Sequence, residues 1–244
     1  MFALFFSACS VSETWSLPSC IFASNFLEFG FTTTSIIMVC DGRQTLIILG
    51  SHFNSMSIMS DAEILEAMEK GELKIEPFDR SFLGPDSVDI RMGSELLLSK
   101  NVGKTLDPLR KDQADYFEKV SLAKGESFML GHHQFVLANT LEHIGLGNGI
   151  AAQIEGRSSI GRFGIVIHMT AGIIHAGFGS KKPSTLTLEV YSVNPNPVLL
   201  HPGMKIAQLS FFRLGRKALK GYDQRAGSKY VGQKGPVAPK AYLD

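Results

Sequence analysis

Cysteine is scarce in this chain. There are three in 244 residues, Cys9, Cys20 and Cys40, all within the first forty and none in a Cys-x-x-Cys pair. A disulfide framework is therefore excluded beyond residue 40. So is a zinc-activated water held by His-x-Glu followed by Pro-Cys-x-x-Cys, since neither motif occurs. An excess of one charge is missing too: 24 Lys and Arg stand against 23 Asp and Glu, a net charge of +1. That excludes a bulk nucleic-acid binder and leaves only local basic sites. No apolar run reaches bilayer-spanning length, and the apolar residues 1–11 lack the basic flank of a secretion signal, so no membrane partner is expected. Walker A and Gly-x-Ser-x-Gly motifs are absent, as are internal repeats and low-complexity tracts.

The length suits one domain with an appendage. Residues 1–55 are the appendage by composition. They carry four charged residues (Glu13, Glu28, Asp41, Arg43), no lysine, eight of the 17 phenylalanines, the single tryptophan and every cysteine. The expectation is that translation begins at Met56 or Met59, that residues 56–220 form the domain and that 221–244 form a flexible C-terminal arm.

From Ser60 the signals sharpen. Ser60 and Glu63 make a capping box, Ile64, Leu65 and Met68 an apolar stripe, and Gly71 a C-terminal stop, which predicts a short helix of about three turns. Val88, Ile90 and Met92 alternate with Asp89 and Arg91 in the two-residue period of a half-buried strand, with Gly93 at its end and Asp89–Arg91 as a structural ion pair. Residues 100–124 read as a surface excursion. His132 and His133 are adjacent, so on a strand they would face opposite ways; a turn is the better reading. Short apolar runs at 128–138, 149–154, 190–193, 198–200 and 206–212, cornered by Gly and Pro, predict a mainly β fold, a barrel or jelly roll with one or two short helices.

The richest chemistry lies in residues 155–189, EGRSSIGRFGIVIHMTAGIIHAGFGSKKPSTLTLE. Gly156 and Gly161 bracket Arg157, Ser158, Ser159 and Arg162, so two guanidinium forks and several hydroxyl and amide donors converge on an anion site. The tail, GYDQRAGSKYVGQKGPVAPKAYLD, has four glycines, two prolines and four basic side chains, and read alone it is a segment left without fixed structure until a ligand arrives.

These motifs, GRSSIGR, HMTA, IIHAGF and LTLE, resemble those of the dCTP deaminases, which share their fold with the trimeric dUTPases. The resemblance runs from about Met59 to the C-terminus. It departs at His175, where the family has an aspartate, and in a longer turn over 179–185. It implies a distorted jelly roll or β-barrel, a homotrimer with active sites between subunits, and a cytoplasmic enzyme that deaminates dCTP to dUTP and ammonia without zinc.

By that resemblance Glu189 is the catalytic carboxylate that shuttles protons, and a buried carboxyl beside a base is expected to have its pKa raised toward neutrality. Ser158 and the Ala171 carbonyl would hold the attacking water, and Arg162 would steady water and carboxylate. Arg157, Ser159, Tyr222, Lys229 and Gln233 would take the phosphates, with Mg²⁺ on the triphosphate, as the tail closes like a lid. Thr187 and Leu188 would read the base through the main chain, and His175 would meet the sugar. His168 is expected to be a hydrogen-bonded structural histidine. No metal held by protein side chains is implied. Besides dCTP, dUTP and dTTP are candidate ligands. The alternatives are a dUTPase or a bifunctional enzyme that carries dCTP through to dUMP, which His175 argues against, and a non-catalytic nucleotide-binding trimer.

Overall fold

The computed structural model describes residues 21–28, 31–40, 43–48 and 57–243. The chain divides into two compact units, residues 1–53 and 54–244. In the first, β1 (Ile21–Glu28), β2 (Phe31–Cys40) and β3 (Arg43–Ile48) pair as an antiparallel meander, with Glu28 opposite Phe31 and Cys40 opposite Arg43. The Asp41-Gly42 pair separating β2 from β3 in sequence is of the type favoured by two-residue hairpins. Residues 1–20, which include the apolar run 1–11, lie outside the described residues.

The second unit opens with β4 (Ser57–Ile58) and α1 (Asp61–Glu69). The capping box forms as expected: the Glu63 amide donates to Ser60 Oγ at 3.4 Å and the Ser60 amide to Glu63 Oε2 at 2.9 Å. Ile64 and Ala67 are the fully buried residues of α1, and Gly71 follows it at φ +69°. After β5 (Leu73–Glu76) comes β6 (Ser87–Ser99), the strand on which the fold is hung. Val88, Ile90 and Met92 are buried, as their alternation predicts. Gly93 does not end the strand, however. A Cβ there would overlap the Asn139 side chain, so glycine lets β6 run past Asn139 and shift register.

The first half of β6 pairs with β16 (Lys205–Arg213), and the second half pairs with β9 (Phe135–Thr140) and β7 (Phe117–Ser121). Thus the second part of the expected excursion over 100–124 is a strand, with a short 3₁₀ turn, Lys111–Tyr116, before it. One strand belongs to two half-sheets. On one side lie β11 (Ile150–Gly156) and β13 (Ile173–Ile174) beyond β16; on the other lie β12 (Ile165–Val166) and β14 (Thr187–Ser192) beyond β9. β8 (Phe128–Leu130) pairs with β15 (Val198–Leu200), and β10 (His143–Leu146) with β5; all these pairings are antiparallel. Between the halves sit Ile90, Leu96, Val136, Ala138, Leu188, Val190, Leu209 and Phe211, each fully buried.

α2 (Ser158–Gly161) is a single turn where strands and turns were expected. Asp89 and Arg91 do not pair with each other. Asp89 Oδ1 takes Arg157 Nε at 2.8 Å and its Oδ2 takes Lys205 Nζ at 3.1 Å, while Arg91 Nε binds the buried Glu142 at 2.7 Å. His132 and His133 do sit on a turn, with His133 at φ +54° and ring centroids 3.7 Å apart. Among the described residues, no helix is long and apolar enough to cross a membrane.

Candidate active site

β14 alternates strictly, so Leu188 and Val190 enter the core while Thr187, Glu189 and Tyr191 share the half-buried face. Glu189 lines a cavity of about 410 Å³ on the face of β14 opposite Leu188 and Val190. Its walls include Ile154, Ile173, Ile174 and Leu137 from the strands, Phe178 and Leu186 from the connecting turn, and Tyr230 and Val237 from the tail. Such a volume suits a small organic ligand, with apolar walls and few polar groups.

The segment after β12 crosses in front of the carboxylate. Glu189 donates its amide to Ile167 O at 2.9 Å, and Glu189 Oε2 accepts the Met169 amide at 2.7 Å. That amide orients the carboxylate. The side chain is half-buried, less enclosed than expected.

Ala171, His168, His175, Thr187, Tyr222 and Gln233 line the same cavity. His168 Nε2 lies 3.5 Å from Glu155 Oε2, so it is tethered, yet its buried Nδ1 has no partner among the described residues. The same holds for Gln233 Oε1, while Gln233 Nε2 donates to the Thr185 carbonyl. His175 stacks on Tyr222, centroids 6.1 Å apart and planes 14° apart.

The tail is laid along the strand that carries Glu189. Thr185 donates its amide to Gln233 O at 3.3 Å, Thr185 Oγ1 donates to Gly235 O at 3.3 Å, and the Val237 amide donates to Thr187 Oγ1 at 3.2 Å. Backbone and hydroxyl pairing thus place a glycine-rich segment that composition alone would leave unstructured. Lys229 is half-buried within it, and its carbonyl accepts from Lys240 Nζ.

The predicted anion cradle stands apart. Ser158, Ser159 and Arg162 are exposed around α2, and none of them, nor Arg157, lines the Glu189 cavity within one chain. Arg157 is half-buried and its Nε is committed to Asp89. The Leu188 side chain is in the core, so only its main chain could meet a ligand. Sequence reasoning missed the Met169 amide, Tyr230, Val237 and Asp223. Their partners lie far away in the chain, and no local spacing marks them.

Residues 58–214 match the dCTP deaminase-like family. A protein of Dictyoglomus thermophilum named "dCTP deaminase, dUMP-forming" is 39% identical over 190 residues, which is 77% of this chain and 96% of that protein. Its namesake in Rhodococcus opacus is 42% identical over 189 residues, 77% of this chain and 97% of that protein. Among solved structures, the 2'-deoxycytidine 5'-triphosphate deaminase of Agrobacterium tumefaciens superposes with a TM-score of 0.51 at 23% identity, over 65% of this chain and 49% of that one. This last likeness concerns the fold.

Proposed function

This chain belongs to the dCTP deaminase-like family, and we propose that it is a hydrolase that deaminates dCTP and carries the product on to dUMP. The observation that carries the deamination is Glu189, half-buried at the cavity with Oε2 on the Met169 amide and unpaired polar atoms of His168 and Gln233 beside it. Water adds to C4 of the cytosine as Glu189 takes its proton. The carboxyl delivers that proton to N3, takes the remaining hydroxyl proton and gives it to the amine, which leaves as ammonia. Ser158, the Ala171 carbonyl and Arg162 hold the water and offset its developing charge. Arg157, Ser159, Tyr222 and Lys229 hold the triphosphate, with the second Nε2 hydrogen of Gln233, the first being donated to the Thr185 carbonyl. The triphosphate would enter as its Mg²⁺ complex, the ion offsetting the phosphate charge.

The cradle on α2 is absent from the Glu189 cavity of the same chain. This supports a homotrimer in which one subunit's α2 completes a neighbour's cavity. Phe163 and Val166, just after α2, and Met169 and Ile173, beside the cavity residues in sequence, are exposed apolar side chains that such an interface would bury.

The step to dUMP follows the names of the relatives, and it has a base to use. His175 lines the cavity beside Tyr222, and a neutral imidazole can take a proton from water attacking the α-phosphorus, releasing pyrophosphate. The second reading, release at dUTP, rests on His175 replacing the family aspartate with a base of different reach. Incubation with dCTP and Mg²⁺ tests both, with ammonia, pyrophosphate and nucleotides followed together. Equal ammonia and pyrophosphate are expected. Ammonia with accumulating dUTP would establish the second reading, and a gain of pyrophosphate in His175→Asp would assign it to that residue. Nucleotide binding without any product would overturn both.

A further inference from the structure

Residues 179–185, Gly-Ser-Lys-Lys-Pro-Ser-Thr, join Phe178 at the cavity to β14, and the proposed reaction has no use for their extra length. A carboxylate from the tail holds this turn. Asp223 is 5% exposed and accepts the Gly179 amide on Oδ1 and the Lys181 amide on Oδ2, each at 3.2 Å. A buried carboxylate with two backbone donors is a satisfied group, and losing it would strand both amides.

The neighbouring backbone closes on the same place. The Tyr222 amide donates to Ala176 O at 2.8 Å, and the Asp223 amide to Gly177 O at 3.2 Å. Gly177 has φ +83°, and a Cβ on it would overlap Gly221, so the two segments can meet this closely only as glycines. The Tyr222 ring stacks on His175 and lies 5.7 Å from Phe178.

We propose that Asp223 is a positioning residue. By pinning the 179–185 turn to the root of the tail, it holds Tyr222 against His175 before nucleotide arrives. Binding then need not order this stretch, which lowers the entropic cost of closing the site. The clasp stands on geometry alone; its effect on nucleotide rests on the proposed function.

The test uses the full chain carrying Asp223→Ala or Asp223→Asn. Limited trypsin digestion without nucleotide, read at Lys220 and Arg225, should be faster in Asp223→Ala, with Asp223→Asn between it and wild type. Kinetics with dCTP should show KM raised about tenfold and kcat held within about twofold. Unchanged digestion overturns the clasp whatever the substrate is. Faster digestion with unchanged KM, or a fall in kcat alone, overturns the positioning role. Should the protein not turn over dCTP, the function falls while digestion still decides the clasp, and a dCTP binding titration replaces KM. Should neither variant fold, amide exchange in the wild-type protein decides: Gly179 and Lys181 should exchange far more slowly than exposed Gly227, and equal rates overturn the proposal.

Discussion

Glu189 works, in the proposed reaction, because one carboxylate both takes and gives a proton, and an amide cannot. Glu189→Gln keeps the shape and the contact to the Met169 amide, so dCTP binding should stay within a few-fold while kcat falls by at least about 10²-fold. Steady-state rates with a parallel binding titration check this, and a variant with near-normal kcat would remove Glu189 from the chemistry. Arg157 is a different case. Its Nε is held by Asp89, which aims the guanidinium without occupying its terminal amino groups in that contact. Arg157→Ala should raise KM for dCTP about 10- to 100-fold, the scale of a lost charged hydrogen bond, with a smaller change in kcat. The motifs point to Glu189, Thr187, His175, Tyr222 and Gln233, which line one cavity in the folded chain. They cannot show that Met169 donates to Glu189 across 20 residues, or that Asp223 reaches Gly179 across 44.

At the scale of elements, β6 and α1 make separate tests. Gly93→Ala puts a methyl into the Asn139 side chain, which also accepts the Glu95 amide, and should cost about 1–3 kcal/mol in denaturant unfolding. A cost near zero would mean that Asn139 can step aside. Glu72 ties the end of β16 to the α1–β5 connection through Arg213 Nη1 at 3.2 Å and Lys217 Nζ at 3.4 Å. The hydrogen bond from Arg213, followed by Lys217, outweighs burial and holds the Glu72 carboxyl below its ordinary 4.5. A depressed carboxyl stabilises the fold above its unfolded value, and that contribution is lost as pH falls through the folded one. Glu72→Gln should therefore destabilise by about 0.5–1 kcal/mol at neutral pH, with the gap to wild type closing only below 4.5. Melting curves across pH would show it, and a gap independent of pH would reject the pairing as its cause.

For the whole molecule, the separation of α2 from the Glu189 cavity is the fact to explain. If a homotrimer forms and supplies them from different subunits, then Glu189→Gln and Ser158→Ala are each inactive alone but complement when assembled together. Random mixing in equal amounts makes about a quarter of the sites intact, so co-assembled enzyme should recover about a quarter of the wild-type rate. No recovery would place both residues in one chain's site.

Local sequence is enough for the mainly β fold, the capped helix and the alternation of β6, and the family resemblance picks out Ala171, His175, Thr187, Glu189, Tyr222 and Gln233 of the cavity lining. These follow from period-two burial, cap chemistry and motif spacing, all of them local. Only the tertiary structure decided that β6 continues through Gly93 into a second half-sheet, that Asp89 serves Arg157 and Lys205 rather than Arg91, and that the tail lies along β14. Those outcomes depend on which distant donors and acceptors the folded chain brings within hydrogen-bond reach. Composition made the tail a loose arm. In the folded chain, Thr185 and Thr187 supply partners for its backbone, and a buried aspartate clasps its root.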